Sequence, residues 1–481
     1  MKKLWIVLLS LAMVAAFCMP ASAVDVKFSG SFYVAGDYYD VDGDETYMMG
    51  DGYGGNADFS TSFFRQRLRV QTEFVVAPGL SLITRFDALE KMWGDSNWTG
   101  SRGDTFGRPS TGDSAAQEQE NIEFEQAYIQ YMSKVGLWWI GYAPHDFWGT
   151  TFGDSTRSQA LIQWILPMKW GMIGAKYFKS WEGSRTLDSS SYQYDNGHDQ
   201  DDDAYVAIGM YKTQDIETGL KVAYRRLADN KSGLDTASPS DGGLLPYSKV
   251  DGWLLTPYFI GQFGPVKVQA ELEYWNGETE FTESWGPYSE GDELDMEFLA
   301  VYLDAKVDFG PAYVGGMFIY ASGNENDTDD ELEGSNFSTG FEGAWGGVDM
   351  KQTLILWNED VTNWLGNPFA DFGMQGNGVK NAFLYQIYGG YAWGDWAFKG
   401  ALTYALADEE DTSVNGTAWT GKDDDYGWEL DVTATYKITE NLSYMVGAGY
   451  LWAGDYFTRD SDNLEIIDEV YVITNKLTLT F

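Results

Sequence analysis

Eighteen runs of alternating apolar and polar residues mark this chain, and the seventeen connections between them alternate strictly between short and long. A period of two places successive side chains on opposite faces of a strand. The runs cover approximately 25–39, 62–77, 79–93, 121–133, 136–148, 159–165, 169–181, 204–213, 218–229, 252–263, 265–276, 293–308, 311–322, 380–393, 395–408, 426–438, 441–454 and 467–481. Short connections carry turn chemistry, as in Ala77-Pro78-Gly79, Phe309-Gly310-Pro311 and Thr439-Glu440-Asn441. Long ones, such as 40–61, 94–120, 183–203 and 323–379, are rich in Gly, Asp, Ser and Asn. Consecutive hairpins with that parity gather all short turns at one end and all long loops at the other. A soluble meander has no reason to keep such parity, whereas a closed membrane barrel does. The fold class predicted is therefore all-β: a transmembrane antiparallel β-barrel of about eighteen strands, with sixteen to twenty tolerated.

Both ends of the chain agree. Lys2 and Lys3 precede an apolar stretch at 4–17, and Ala-Ser-Ala at 21–23 offers a small-residue cleavage site, the pattern of a secretory signal peptide. The expected division is a cleaved leader at 1–23 and a barrel domain at 24–481. Cleavage removes Cys18, the only cysteine, so disulfides and thiolate metal sites are not expected. The first strand begins almost at that cleavage site, leaving no room for an N-terminal plug. At the other end Tyr471, Ile473, Leu477, Leu479 and Phe481 alternate with Thr474, Lys476, Thr478 and Thr480. That ending resembles the C-terminal signature of bacterial outer-membrane β-barrels. The resemblance implies that Phe481 is read by the barrel-assembly machinery and that the protein resides in a Gram-negative outer membrane. The 20 Trp, 31 Tyr and 27 Phe suit interfacial girdles, and the 55 Gly suit tight turns. Trp93, Trp138, Trp139, Trp148, Trp181, Trp275, Tyr320, Trp393, Tyr450 and Trp452 lie near predicted strand ends, where they would form a girdle or, for some, an aromatic slide for sugars inside the channel.

The predicted second strand carries the sharpest constellation. Arg65, Arg67, Arg69, Gln71 and Glu73 share one face, opposite Phe64, Leu68, Val70, Phe74 and Val76. An arginine facing lipid at mid-depth costs roughly 2–4 kcal/mol, so these guanidinium groups must face the lumen. Arg85 and Asp87 continue the wall on the third strand. Glu123 and Glu125 point inward on the fourth, where the alternation slips near Gln126. Elsewhere the inward face turns acidic: Lys267, Gln269, Glu271 and Glu273 share a face, as do Glu429, Asp431, Thr433 and Thr435. In an eighteen-stranded barrel, strand eleven would stand across from strand two, so a basic wall would face an acidic one. This pattern resembles the constriction of general diffusion porins, where an arginine ladder faces acidic groups. It departs from that family in placing its longest loop late, at 323–379, where 352–365 could form a strand pair, a short helix or an infolded constriction. Two extra strands there would make a twenty-stranded barrel. The plain alternative for the arginines is that they neutralise inward carboxylates.

The resemblance implies passive diffusion of ions and small hydrophilic solutes through a water-filled lumen, without enzyme activity or cofactor. A substrate-specific channel for sugars or organic acids, and a structural or adhesive barrel with an occluded lumen, are the competing readings. A homotrimer is implied by likeness to porins, although some substrate-specific eighteen-stranded barrels are monomeric. Lipid and lipopolysaccharide are the expected surroundings. The formal net charge of −42 opposes nucleic-acid binding. Acidic runs at 40–45, 199–203 and 324–333 read first as solvated charge, with divalent-cation bridging as the functional alternative. His145 and His198, each followed by Asp, read as solvated loop residues rather than catalytic ones.

Overall fold

A computed structural model describes residues 25–43, 47–48, 54–55, 59–93, 122–145, 148–153, 158–181, 201–228, 248–284, 289–323, 331–333, 353–358, 379, 381–414, 417–460 and 464–481. The predicted leader at 1–23, His198 and parts of the acidic runs (44–45, 199–200 and 324–330) lie outside those residues.

Eighteen strands form the wall. The first nine are β1 (Asp25–Asp42), β2 (Phe59–Ala77), β3 (Leu80–Met92), β4 (Ile122–Ser133), β5 (Gly136–Pro144), β6 (Ser158–Met168), β7 (Gly171–Trp181), β8 (Asp202–Lys212) and β9 (Ile216–Leu227). The others are β10 (Ser248–Phe263), β11 (Val266–Phe281), β12 (Glu293–Phe309), β13 (Ala312–Ala321), β14 (Ala382–Trp393), β15 (Trp396–Leu406), β16 (Asp425–Lys437), β17 (Leu442–Ala453) and β18 (Glu469–Thr480). Each predicted run falls on one of them.

Every strand pairs antiparallel with its sequence neighbours, and β1 pairs with both β2 and β18. The last residue completes closure: Gly30 N–H donates to the Phe481 carbonyl at 2.8 Å, and Phe481 N–H donates to the Gly30 carbonyl at 3.0 Å. A Cβ at Gly30 would lie 2.8 Å from the Phe481 ring, so the terminal aromatic needs glycine beneath it. Because β13 pairs directly with β14, from Ala312↔Tyr391 to Ala321↔Ala382, segment 323–379 adds no wall strands and the twenty-stranded alternative falls. Its short stretch Glu331–Glu333 instead runs parallel beside β12.

The alternation sorts residues as lipid and water demand. Phe64, Phe124, Ile140, Leu220, Leu303, Ile387, Leu430 and Ile473 project outward as exposed large apolar side chains. Trp170, Phe263, Phe309 and Trp393 form an aromatic girdle near the short turns, and Trp93, Trp253, Trp428 and Trp452 form one near the loops. No helix among the described residues is long and apolar enough to cross a membrane. Crossing is done by strands, and the apolar belt makes this a transmembrane β-barrel.

The interior changes character with depth. On β10 to β12 the inward Leu254, Trp275 and Phe298 are buried in the loop half, whereas Lys267, Lys306 and Asp308 form ion pairs in the turn half. Apolar inward positions occur where loop segments fold into the barrel and need a surface to pack on. Ile355, Leu356, Trp357, Tyr426, Tyr456, Phe457, Ile466 and Ile467 join one such buried cluster.

Candidate channel constriction

One stretch of wall, β1 to β4, concentrates the arginines. Register places Arg65, Arg67 and Arg69 opposite Ala35, Tyr33 and Ser31 on the inward face of β1. Each guanidinium then meets a carboxylate from a neighbouring strand. Arg65 Nε donates to Asp37 Oδ2 at 2.7 Å, and the other Asp37 oxygen accepts from the Thr474 hydroxyl at 2.6 Å. Arg69 grips Asp87 with two hydrogen bonds, at 2.8 and 2.6 Å, the planar fork geometry that favours arginine over lysine. Arg85 lies 3.5 Å from Glu125.

Two β-bulges place the carboxylates Glu90 and Glu125 beside this wall. On β3, Leu89 and Glu90 together oppose Arg67 between the pairs Gln66↔Lys91 and Leu68↔Ala88. Leu89 adopts φ 56, and the extra residue leaves the Glu90 carboxylate 3.7 Å from Arg67. On β4, Glu125 is the extra residue between the pairs Arg85↔Gln126 and Phe86↔Phe124. This is where the alternation slips in the sequence. A bulge re-aims side chains in this way at the expense of one unpaired residue. Glu123 stands opposite Asp87 near the loop end of β4.

The arginines differ in access to water. Arg65 is 3% exposed, while Arg67 and Arg69 retain 24% and 21% of their side-chain surface. Tyr33 lies between cations: Lys476 Nζ is 4.3 Å from its ring centre, and the Arg67 guanidinium carbon is 5.3 Å away.

The acidic residues occupy a different setting. Glu271 and Glu273 on β11 and Glu429 and Asp431 on β16 face inward, yet all four are buried. Infolded loops cover them, so the sequence expectation of two charged walls facing each other across open water needs correction. The β5–β6 loop crosses to β11, where Thr150 donates both its N–H and its hydroxyl to Glu271 Oε2 at 2.6 Å. Gly153 packs so closely that a Cβ there would come 2.3 Å from Glu271 and 3.2 Å from Glu273. Trp148 Nε1 donates to the Thr256 carbonyl at 2.9 Å, and Phe152 stacks on Tyr302 with ring centres 5.4 Å apart.

The β13–β14 loop does the same at Glu429. The N–H groups of Leu354, Ile355 and Leu356 all donate to that carboxylate at 2.8 Å. Of the readings open for 352–365, the described turn at 353–358 is infolded. Tyr388 donates to Asp304 at 2.6 Å and lines a small niche with Tyr313, Leu354, Lys399, Asp431 and Thr433. Lys267 binds Asp308 at 2.8 Å near the turns, away from the acidic anchors.

Sequence reading missed the partners Asp37, Glu90, Thr150, Asp304 and Tyr388. Of the aromatics that the sequence leaves between a girdle and the channel interior, Trp139, Trp148 and Trp275 point inward. Trp139 bonds Gln130 at 3.0 Å, and the other two are buried by infolded chain. The Trp181 side chain lies outside the described residues. His145 is buried rather than solvated, tilted against Phe178 at 4.5 Å with its carbonyl accepting from Lys176 at 2.8 Å. The described Asp, Glu, His and Cys side chains form no cluster of three suited to a metal ion. At the loop end, beyond the span, acids crowd one another. Burial, then the hydrogen bond and charge of Asp423, hold the Asp424 carboxyl above its ordinary range. Burial, then Asp42 and Glu469, do the same to Asp468.

No family model matches the chain, and no curated protein matches it. Among solved structures it is similar to outer membrane protein OpdK from Pseudomonas aeruginosa, at 10% identity and TM-score 0.46, covering 95% of this chain and 99% of that one. It is also similar to OccAB3 from Acinetobacter baumannii, at 10% identity and TM-score 0.48, covering 95% of this chain and 100% of that one. An anion-selective porin from Comamonas acidovorans gives 10% identity and TM-score 0.42, covering 95% and 99% respectively. At this level of likeness no residue or ligand transfers to the present chain. The barrel's own features are enough for the architecture: an even number of antiparallel strands, short turns at one end, long loops at the other, apolar outside and charged within. The chain has the architecture of bacterial outer-membrane porins.

Proposed function

We propose that this protein is a Gram-negative outer-membrane porin that lets ions and small hydrophilic solutes diffuse along the arginine-bearing wall. The observation that carries this is the asymmetry of the interior. Infolded loops pad the wall from β10 to β17, whereas Arg67, Arg69, Glu90 and Glu125 on β2 to β4 keep water-accessible surface. Such a path needs no covalent step. A hydrated passage lowers the barrier, and its width and charge set what enters. The site residues assigned to it are Arg67, Arg69, Arg85, Glu123 and Glu125, with Arg65 as their buried support. Lys267 stands at the turn-side mouth, Glu271 and Glu429 anchor the loops, and Glu273 and Asp431 are buried beside them. Because the wall's cations are paired, selectivity by sign is weak there, and the acidic loop end enriches cations at the mouth.

Residues 1–23 serve as the export leader, and Phe481 as the element read by the barrel-assembly machinery. Lipid and lipopolysaccharide surround the belt, three copies associate, and acidic loops offer oxygen ligands to divalent cations. A substrate-specific channel for sugars or organic acids is the second reading. Single-channel recording in planar bilayers tests both. Steps on the order of a nanosiemens are expected for an open barrel of this size, and a silent membrane holding folded protein contradicts the porin reading. Saturable block by sugars or organic acids would select the second.

A further inference from the structure

The two infolded loops are built differently, and the difference separates a fixed element from a movable one. In the β5–β6 loop the left-handed backbone position falls on Gly149, φ 72, and the Trp148 indole N–H has a carbonyl partner. Among the described residues of that loop no side-chain-bearing residue takes a left-handed conformation. In the β13–β14 loop the left-handed position falls on Trp357, φ 50, a bulky residue for which that conformation is a genuine outlier. Its buried indole N–H has no hydrogen-bond partner among the described residues. Strain of this kind persists only where surroundings impose it.

What imposes it is largely one side chain. Glu429 collects the three N–H groups of residues 354–356, and Asn358 closes the turn by donating its side-chain amide to the Thr353 carbonyl at 2.8 Å. Asp431 stands beside Glu429, 3% exposed and within hydrogen-bonding reach of it. The Leu354 N–H that reaches toward it is already committed to Glu429. A strained turn and an unmet donor both raise the energy of the docked arrangement relative to release.

We propose that Thr353–Asn358 is a detachable stopper in the loop half of the barrel, latched by the Glu429 carboxylate, and that its release widens the passage. This rests on the channel reading above. Leaving the wall exposes the Tyr426 face against which Trp357 packs, ring centres 5.3 Å apart, and opens the niche beside Leu354 to the lumen. The β5–β6 loop stays in place and sets the minimum width.

The test uses single-channel recording on the full barrel in planar bilayers, with heat-modifiable gel migration as the check of folding. Wild type is expected to switch between a lower and a higher conductance level. Glu429→Gln, which keeps the shape but sets an amide N–H₂ against the loop donors, should raise the ratio of time in the higher level about tenfold. Leu354→Cys with Gly449→Cys provides the lock: the Leu354 Cβ lies 3.1 Å from where a Cβ on Gly449 would sit, a short adjustment from disulfide range. Oxidised, this pair should hold the lower level only, and dithiothreitol should restore switching. A single level in wild type overturns the stopper. So does persistence of both levels in the cross-linked protein, or failure of the pair to cross-link in the folded barrel. If either variant does not assemble, the wild-type trace decides. Absence of any conductance contradicts the channel reading instead, so the two failures are distinguishable.

Discussion

The arginine wall on β1 to β4 and the carboxylate anchors on β11 and β16 look equivalent in sequence, yet they solve opposite problems. On the arginine side each charge is met by a side chain from the next strand, so the wall neutralises itself and leaves its surface to water. On the acidic side the partners are backbone N–H groups brought from distant loops, so the charge is buried in exchange for holding a loop inside. An inward charged residue can therefore line a passage or fasten something within it. Which of these it does depends on where its partner comes from.

Substitutions can break that contrast, and the largest expected effect is at its buried centre. Arg65→Leu leaves Asp37 buried without its cation, accepting from the Thr474 hydroxyl. Removing one member of a buried pair costs about 3–5 kcal/mol, so the urea midpoint of the heat-modifiable form should fall sharply. An unchanged midpoint would mean that the pair adds nothing to the wall. Next comes Glu271→Leu, which removes the acceptor for both Thr150 donors. Leaving such groups unmet costs about 1–3 kcal/mol, borne by the loop more than the barrel. The expected outcome is a near-normal unfolding midpoint with a raised minimum conductance. If the midpoint falls as far as in Arg65→Leu, the anchor belongs to the wall after all. The smallest stability effect is at Arg67, whose nearest carboxylate is 3.7 Å away. Exposed pairs contribute about 0–1 kcal/mol, so Arg67→Glu should leave stability nearly unchanged while moving the reversal potential in a salt gradient toward cations. The same substitution at Arg65 would confuse the two effects, because that side chain is buried.

The wall was legible from the sequence because a strand's period of two is local. Apolar and polar residues alternate along β2, β11, β16 and β18 whatever the rest of the chain does. Even the β4 bulge left a trace, as the slip near Gln126. The β3 bulge left none, since nothing in Ala88-Leu89-Glu90 announces that a leucine takes a left-handed conformation. The loops were harder for a physical reason. Whether Trp148, Trp275 or His145 is solvated depends on a chain segment arriving from another part of the barrel, and periodicity carries no information about such arrivals. Glu271 and Glu429 were recognised as inward acids by alternation. That Thr150 and the turn at 353–358 cover them required the tertiary structure.

The central claim is that the aqueous path follows the arginine wall and avoids the carboxylate wall. Placing single cysteines on each side tests it most directly, because the chain's own Cys18 lies in the predicted leader. Arg67→Cys marks the first wall, and Thr403→Cys, at a fully buried inward position of β15, marks the second. A hydrophilic cationic thiol reagent added during bilayer recording should step down the current through Arg67→Cys within the recording and leave Thr403→Cys unaffected. A current drop at Thr403→Cys with none at Arg67→Cys would contradict the account.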